Sequence, residues 1–347
     1  MNRARRKGGL DRGALPDQRA LAERFGGIRH ARFHEPDVVY HVLVRTFQGR
    51  FLLAPDKAGR LPRLIAGVLG RAQERFPSLR LFADAWLSNH AHLLLQGDPD
   101  EIPAFMAFVE REISRRWGPM IGWSGTMFQT YQSTALPTAE SQHRAFEYVL
   151  AQSTKEHLVT SPLKWPGAHC AKDLTKGRTR RGVWFDGTRY GKALHQRLAR
   201  KRNRTPPPRT EFEEESTARF EKLPVLADLS DAAYRAHVSA VVAKIEQEAA
   251  AERRRTGRRV LGRRAVFEIA REERSELPRP PWFEERRRMI CWASRLARET
   301  REYLERYWHF QREFREASRR YLEGELETLF PPFSFRPPLM ARPTPGA

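Results

Sequence analysis

Cysteine is scarce: Cys170 and Cys291 are the only two in 347 residues. They lie far apart and form no Cys-x-x-Cys, which argues against a disulfide framework or a thiolate zinc site. Two separate thiols fit a reducing, cytoplasmic setting. No apolar run approaches the ~18 residues of a membrane-spanning helix. The N-terminus, MNRARRKGGLDRG, has no apolar stretch behind its charges, so no secretory signal is expected. Acidic residues are in deficit: 63 Lys and Arg face 42 Asp and Glu, a formal net charge of +21. Such a surplus needs an anionic partner, and nucleic acid is the first candidate. An arginine-favouring proteome would leave the same bias, since arginine heavily outnumbers lysine.

What is present is a 40% hydrophobic content, enough for a real core. Four regions are expected: a basic N-terminal arm over 1–34, a patterned domain over 35–170, a basic, proline-containing linker over 171–215, and a helical extension with a Pro-rich tail over 216–347. The arm has room for one short helix at 18–25. Residues 38–44 are β-branched and bounded by Pro36-Asp37, so they read as a strand. Leu61, Leu64, Ile65, Val68 and Leu69 share a helical face. Residues 79–87 and 90–96 read as strands broken at Ser88-Asn89. Ile102, Phe105, Met106, Val109 and Ile113 repeat at helical spacing. Residues 127–136 make a fourth strand, and Pro137-Thr138 opens a helix to about His157, with Thr138 as its cap.

Strand, helix, strand, strand, helix, strand is the ferredoxin-like order. The expected fold class is α+β: an antiparallel sheet with helices on one face and an extra helix near the other. Beyond it, residues 194–210 are basic and punctuated by Pro206-Pro207-Pro208. A long helix is expected over 283–327, with Ile290, Trp292, Leu296, Tyr303, Leu304, Trp308 and Phe314 as its stripe. The proline-rich 330–338 cannot be helical.

Two features carry chemistry. In Asn89-His90-Ala91-His92-Leu93-Leu94-Leu95, strand alternation puts His90 and His92 on one face and Ala91, Leu93 and Leu95 on the other. Two imidazoles so placed can form a metal platform, or simply be exposed histidines on a half-buried strand. In the 138–157 helix, Ala145, Phe146, Val149 and Leu150 define the apolar face. Tyr148 points about 130° from its centre and Gln152 about 90°. Tyr148 is therefore not the natural core tyrosine of this helix, though a rim tyrosine would look the same. Arg144 and Lys155 share its side and would attract a phosphate.

Together, in this order of elements, these features resemble the single-tyrosine HUH transposases of insertion sequences, including the REP-associated tyrosine transposases. The matching stretches are Ser88-Asn89-His90-Ala91-His92-Leu93-Leu94-Leu95, then Tyr148, Gln152, Leu158-Val159 and Pro162-Leu163-Lys164-Trp165-Pro166, and the first strand Tyr40-His41-Val42-Leu43-Val44-Arg45-Thr46. They span roughly residues 35–170. Ala91 is small where the family carries a bulky residue, and Gln152-Ser153-Thr154 replaces the Asn-Pro-Val of many relatives. From about residue 196 the chain has no counterpart in minimal members.

The resemblance implies a transposase that cuts and rejoins single-stranded or hairpin DNA. His90, His92 and Gln152 would hold one Mg²⁺ or Mn²⁺, and Tyr148 would be the nucleophile, forming a 5′-phosphotyrosine. Some relatives are homodimers that exchange the tyrosine helix, others monomers; the 161–167 connection leaves both open. The alternative on the same fold is a hairpin DNA- or RNA-binding protein that does not cut. Relaxases carry their tyrosine before the histidines and use three of them, so they fit less well. Among other residues, His41 is expected in a core or structural role, and His143, His157 and His169 as surface or structural. Tyr131 is a rival nucleophile that lacks an amide four residues on. Arg111, Arg115 and Arg116 read as DNA contacts or a solvated face, and Trp123 and Phe128 as base-stacking or core residues.

Overall fold

The computed structural model of the chain describes residues 31–199, 205–271, 273, 290–292 and 297–337. Its elements in chain order are β1 (Val39–Arg45), α1 (Arg60–Arg75), β2 (Arg80–Trp86), β3 (His90–Gln96), α2 (Glu101–Met120), β4 (Gln132–Leu136), α3 (Ala139–Lys155), α4 (Ala171–Lys176), β5 (Arg180–Phe185), α5 (Gly187–Ala199), β6 (Glu213–Ala218), α6 (Asp231–Thr256), α7 (Arg263–Phe267) and α8 (Arg298–Glu323). The expected helix at 18–25 lies outside the described residues. The chain divides into two units. One is residues 34–307; the described parts of the other are 31–33 and 308–337. In the smaller unit the Gln311 amide brackets the backbone of Ala31, and Phe33 packs on Phe310.

The larger unit is α+β, and its first four strands form one antiparallel sheet in the order β2-β3-β1-β4. This is the ferredoxin-like strand order expected from the sequence. Register fixes which side chains share a face. His41 opposes Leu94, Leu43 opposes His92 and Arg45 opposes His90 across β1 and β3. The other face presents Tyr40, Val42, Val44, Ala91, Leu93 and Leu95, all buried. The crossovers put α1 and α2 over that face, and the two helices pack on each other. Their buried stripes are Leu61, Ile65, Val68 and Leu69 from α1 and Ile102, Phe105, Met106, Val109 and Ile113 from α2.

The histidine face receives α3. The helix starts where expected: Thr138 Oγ1 accepts from Ser141 N at 3.1 Å, and Ser141 Oγ accepts from Thr138 N at 3.1 Å. This reciprocal capping box satisfies two otherwise orphan donors. Ala145, Phe146, Val149 and Leu150 pack onto Val39, Ala83, Ala85, Leu94 and Leu136. That apolar contact covers one end of the face. The other end, with Leu43, Arg45 and His90, stays half-buried. Behind α3 lies α6, whose Tyr234, Val238, Val241, Val242 and Ile245 extend the same core.

Several expectations need correction. The fourth strand was expected over 127–136, but β4 covers only Gln132–Leu136. Residues 127–129 still bond to β1's end, through Phe47 N to Met127 O and Gln129 N to Arg45 O. There β1 leaves the extended region, with Gln48 at φ 56, so a regular ladder cannot continue. Residues 171–215 were expected as a linker. Where described, they hold α4, β5 and α5 and reach into β6, and β5 pairs with β6 along its whole length. This ribbon lies flat against α1. A Cβ on Gly67 would collide with the backbone of Val183, and one on Gly70 with Ser216 and Thr217. Of the expected 283–327 helix the described residues show α8, while residues 290–292 are instead extended and bridge β4. Arg200, Lys201, Arg202 and Arg204 of the basic 194–210 stretch lie outside the described residues.

A buried ion network ties the ribbon to the sheet. Arg180 of β5 bonds both carboxylate oxygens of Asp84 in β2, at 2.7 and 2.8 Å. Its Nε donates to Asp173 of α4 at 2.8 Å. Asp84 is fully buried and also accepts from Trp86 Nε1. Breaking such a pair strands a charge. Arg180→Met should cost about 3–5 kcal/mol. An Asp84→Leu/Arg180→Met double variant should recover part of that loss in urea unfolding. Equal stability of Arg180→Met and wild type would show that the network is not holding the ribbon.

Candidate active site

The strand-helix contact brings four rings together. His90 and His92 lie edge to face, centroids 5.0 Å apart. His41 stacks on His92 at 5.1 Å, with His41 Nε2 and His92 Nδ1 in hydrogen-bond contact at 2.8 Å. Tyr148 of α3 meets both edge-on, at 5.5 Å from His92 and 5.8 Å from His41. The expected set of His90, His92, Tyr148 and Gln152 is therefore assembled, from a single chain.

The outward nitrogens are set by neighbours. His90 Nδ1 bonds Asn89 Oδ1 at 2.7 Å, and an amide oxygen can only accept, so Nδ1 carries the proton. That leaves the His90 Nε2 lone pair. Asn89 is itself held in place, because its carbonyl accepts from the Thr46 hydroxyl and N–H. In the His41–His92 pair one nitrogen carries the proton. When it is His92 Nδ1, the His92 Nε2 lone pair is freed. That Nε2 is buried and has no hydrogen-bond partner. Gln152, also buried, donates its amide N–H to Tyr148 O at 2.9 Å and lies within hydrogen-bond reach of His90. An unpartnered imidazole nitrogen beside a second one and an amide oxygen suits a divalent ion of intermediate softness. Among the described residues no group of three His, Cys, Asp or Glu side chains could hold a metal. The expected set differs in kind, since its third member is an amide.

Electrostatics keep the imidazoles neutral. Burial pushes His41 down to about 4. Burial, and then the Arg45 charge, push His90 down to about 4, against a hydrogen bond to Gln152 that favours the charged ring. His92 is held well below the usual histidine range by burial and then by His41, His90, Arg45 and Lys155. Positive charge sits instead at the rim: Lys155 Nζ lies 4.5 Å from the Tyr148 ring centroid. Arg144 reaches only Glu140, on the exposed side.

Two site residues escaped the sequence. His41 was assigned a core or structural role; it is buried, but its partner is the imidazole of His92. Its signal was available, since alternation along β1 sets His41 on one face with Leu43 and Arg45. Trp292 had no signal. Ile290 O accepts from Ala135 N and Trp292 N donates to Ala135 O, so this segment adds to the open edge of β4. The Trp292 ring then lies 5.0 Å from Tyr148 and 5.8 Å from His41.

The remaining candidates are elsewhere. Tyr131 is buried just ahead of β4. Arg111, Arg115 and Arg116 all turn to Glu112, and Arg116 also stacks on Trp184 at 3.8 Å. Trp123 carries Arg50, and Phe128 is buried. His143 faces His237, while His169 is buried and accepts from Ala171 N. Cys170 and Cys291 form no disulfide, and among the described residues no helix is long and apolar enough to cross a membrane.

No family model matches the sequence, and no curated protein matches it. Two solved structures are similar to parts of the chain. One is a REP-associated tyrosine transposase bound to a REP hairpin. It is 15% identical, with a TM-score of 0.36 over 44% of this chain and 87% of that one. The other is a candidate transposase of Deinococcus radiodurans R1. It is 20% identical, with a TM-score of 0.25 over 36% of this chain and 98% of that one.

A histidine whose folded pKa is lowered binds protons more readily in the unfolded chain. Above about pH 6.5 both states are neutral and the contribution to stability is complete. It is lost as pH falls from 6.5 towards about 4, where His41 and His90 titrate. The melting temperature should therefore drop across this window, and the drop should be shallower in His41→Gln. Parallel curves for the two proteins would show that His41 is not held neutral.

Proposed function

We propose that the chain is a single-stranded DNA nuclease and strand transferase, a transposase, with Tyr148 as its nucleophile. The observation that carries this reading is the Tyr148 ring set edge-on against His92 and His41, with Lys155 beside it. A phenol that is half-buried among neutral imidazoles, with cations at the rim, is placed to meet a phosphodiester. His90 and His92, through their Nε2 atoms, and Gln152, through its amide oxygen, would hold one Mg²⁺ or Mn²⁺. With two nitrogen ligands Mn²⁺ should bind at least as well. Such an ion, when bound, polarises the phosphate and stabilises charge that builds on it.

The chain's own residues do the rest. Tyr148 Oη bonds to phosphorus, the bond from phosphorus to the 3′ oxygen breaks, the phenolic proton leaves to water, and the departing 3′ oxygen takes a proton from water. The products are a 5′-phosphotyrosine and a free 3′-OH. Because the phosphoester is conserved, another 3′-OH can reverse the step and join strands without ATP. Lys155 holds the phosphate near the ring. His41 is a positioning residue: it orients His92 through the Nε2 to Nδ1 bond and fixes its tautomer.

A second reading is a nucleic-acid-binding protein that does not cut, and the Trp292 ring packed on Tyr148 favours it. A labelled single-stranded hairpin from the gene's flanks, with Mn²⁺, separates the two. Wild type should form a covalent protein–DNA adduct that Tyr148→Phe lacks. Binding without an adduct, in any metal, supports the non-cutting reading. An adduct that persists in Tyr148→Phe overturns the assignment of the nucleophile. His41→Ala should raise the Mn²⁺ needed for half-maximal adduct by about 10- to 100-fold while sparing the yield at saturation. An unchanged Mn²⁺ requirement would remove His41 from the site.

A further inference from the structure

Away from the histidines, a second cleft opens where α3 ends. It has a volume of about 590 Å³ and is lined by seven basic side chains and one carboxylate. Several stretches build it: α1 supplies Arg63, α4 supplies Lys172 and Asp173, and the approach to β5 and its first residue supply Arg178 and Arg180. The turn after α3 supplies Val159, Lys164 and Trp165. Residues 260–263 close it from the extension, with Leu261 N bonded to His157 O and Gly262 N to Leu158 O. Gly262 takes φ 85 to make this turn. The walls are fixed, since Trp165 Nε1 donates to Trp86 O at 2.9 Å and Arg180 is locked to Asp84.

The charges in this cleft are not balanced from within. The carboxylate, Asp173, is already shared by Arg178 and Arg180. Among the described residues Arg63, Lys164, Lys172 and Arg263 have no ion-pair partner, and all four are exposed. Lys172 titrates below the usual lysine range, through partial burial first and then through Arg263 and Arg178. Cations held this close repel one another, and an anion bound among them relieves the repulsion. A solvated charged surface would spread its cations; here fixed aromatic and proline walls gather them around one cavity.

We propose that this cleft binds the phosphate backbone of the same nucleic-acid strand that enters the Tyr148 site, holding it beyond the α3 C-terminus. The inference rests on the nuclease reading for the identity of its ligand. From Tyr148 the strand would follow α3, past Lys155, for about 10 Å at ~1.5 Å per residue before meeting Val159 and the cleft. Residues 260–263 thereby give the C-terminal extension a role in holding substrate.

Anisotropy titrations of a labelled single-stranded oligonucleotide test this without any cleavage. Lys172→Glu/Arg263→Glu should bind about tenfold more weakly at low salt. Its salt slope should be shallower by about 1.4, two contacts at ~0.7 each. Arg254→Glu/Arg301→Glu, with the same change in net charge on other surfaces, should behave nearly as wild type. Equal losses in both double variants would mean a generic charge effect and overturn the proposal. Displacement of the oligonucleotide from the wild type by an equal concentration of dAMP would make the cleft a free-nucleotide site and overturn it too. If melting shows that the glutamate variant is unfolded, Lys172→Gln/Arg263→Gln replaces it with the same expected direction. Loss of the adduct with binding intact judges the nuclease reading, and loss of binding in the cleft variant judges the cleft.

Discussion

The two-residue period of β3, closed in by helices on both faces, is the constraint on which the site depends. Ala91, Leu93 and Leu95 must face one way because that side is packed under helices. His90 and His92 are then forced the other way, and a slip of one residue would exchange the two sets. The register with β1 adds His41 to the same face, one strand over. Only after this is α3 placed, by its Ala145, Phe146, Val149 and Leu150 contact at the apolar end of the histidine face. Tyr148 lies off that apolar side by the helical period, so it comes to rest at the open end, over the imidazoles. Two packing periods, of two and of 3.6 residues, thus aim four polar side chains at one point.

The extension is part of this construction rather than an attachment to it. Asp84 sits at a position of β2 where an apolar residue would ordinarily serve, and its charge is tolerated because Arg180 arrives from β5 with two hydrogen bonds. Gly67 and Gly70 remove the side chains that would hold the ribbon off α1. The Ile290–Trp292 backbone bonds cover an edge strand that would otherwise expose unpaired N–H and C=O groups. Each of these contacts joins residues more than 90 positions apart, so each is specific to the assembled unit.

That distance also explains what could be read in advance. Local periodicity located five of the first six elements, and Thr138 as a cap, because each depends on neighbours within a turn or a strand. The pairing of His90 and His92, and the off-core angle of Tyr148, follow from the same short-range periods. The fourth strand was overextended, since its end is set by β1 turning away at Gln48. Trp292 lay inside an apolar stripe of helical spacing, yet the unpaired edge of β4 outweighed that propensity. Residues 171–215 looked like a linker because β5 and β6 are short, charged and separated by α5; their pairing is visible only once α1 is there to carry them.

Charge is distributed so that the inside of the site and its surroundings do different work. The imidazoles are buried together, and Arg45 and Lys155 act on His92 in the same sense as burial. They stay neutral, with lone pairs available rather than protons. The net charge of +21 is therefore not expressed at the histidine cluster. It appears around it, at Lys155 on the helix and in the cluster of Lys172 and Arg263 past the helix end. Cations that surround a neutral cluster of buried rings leave the charge of the surface and the neutrality of the interior as separate properties, each set by its own packing.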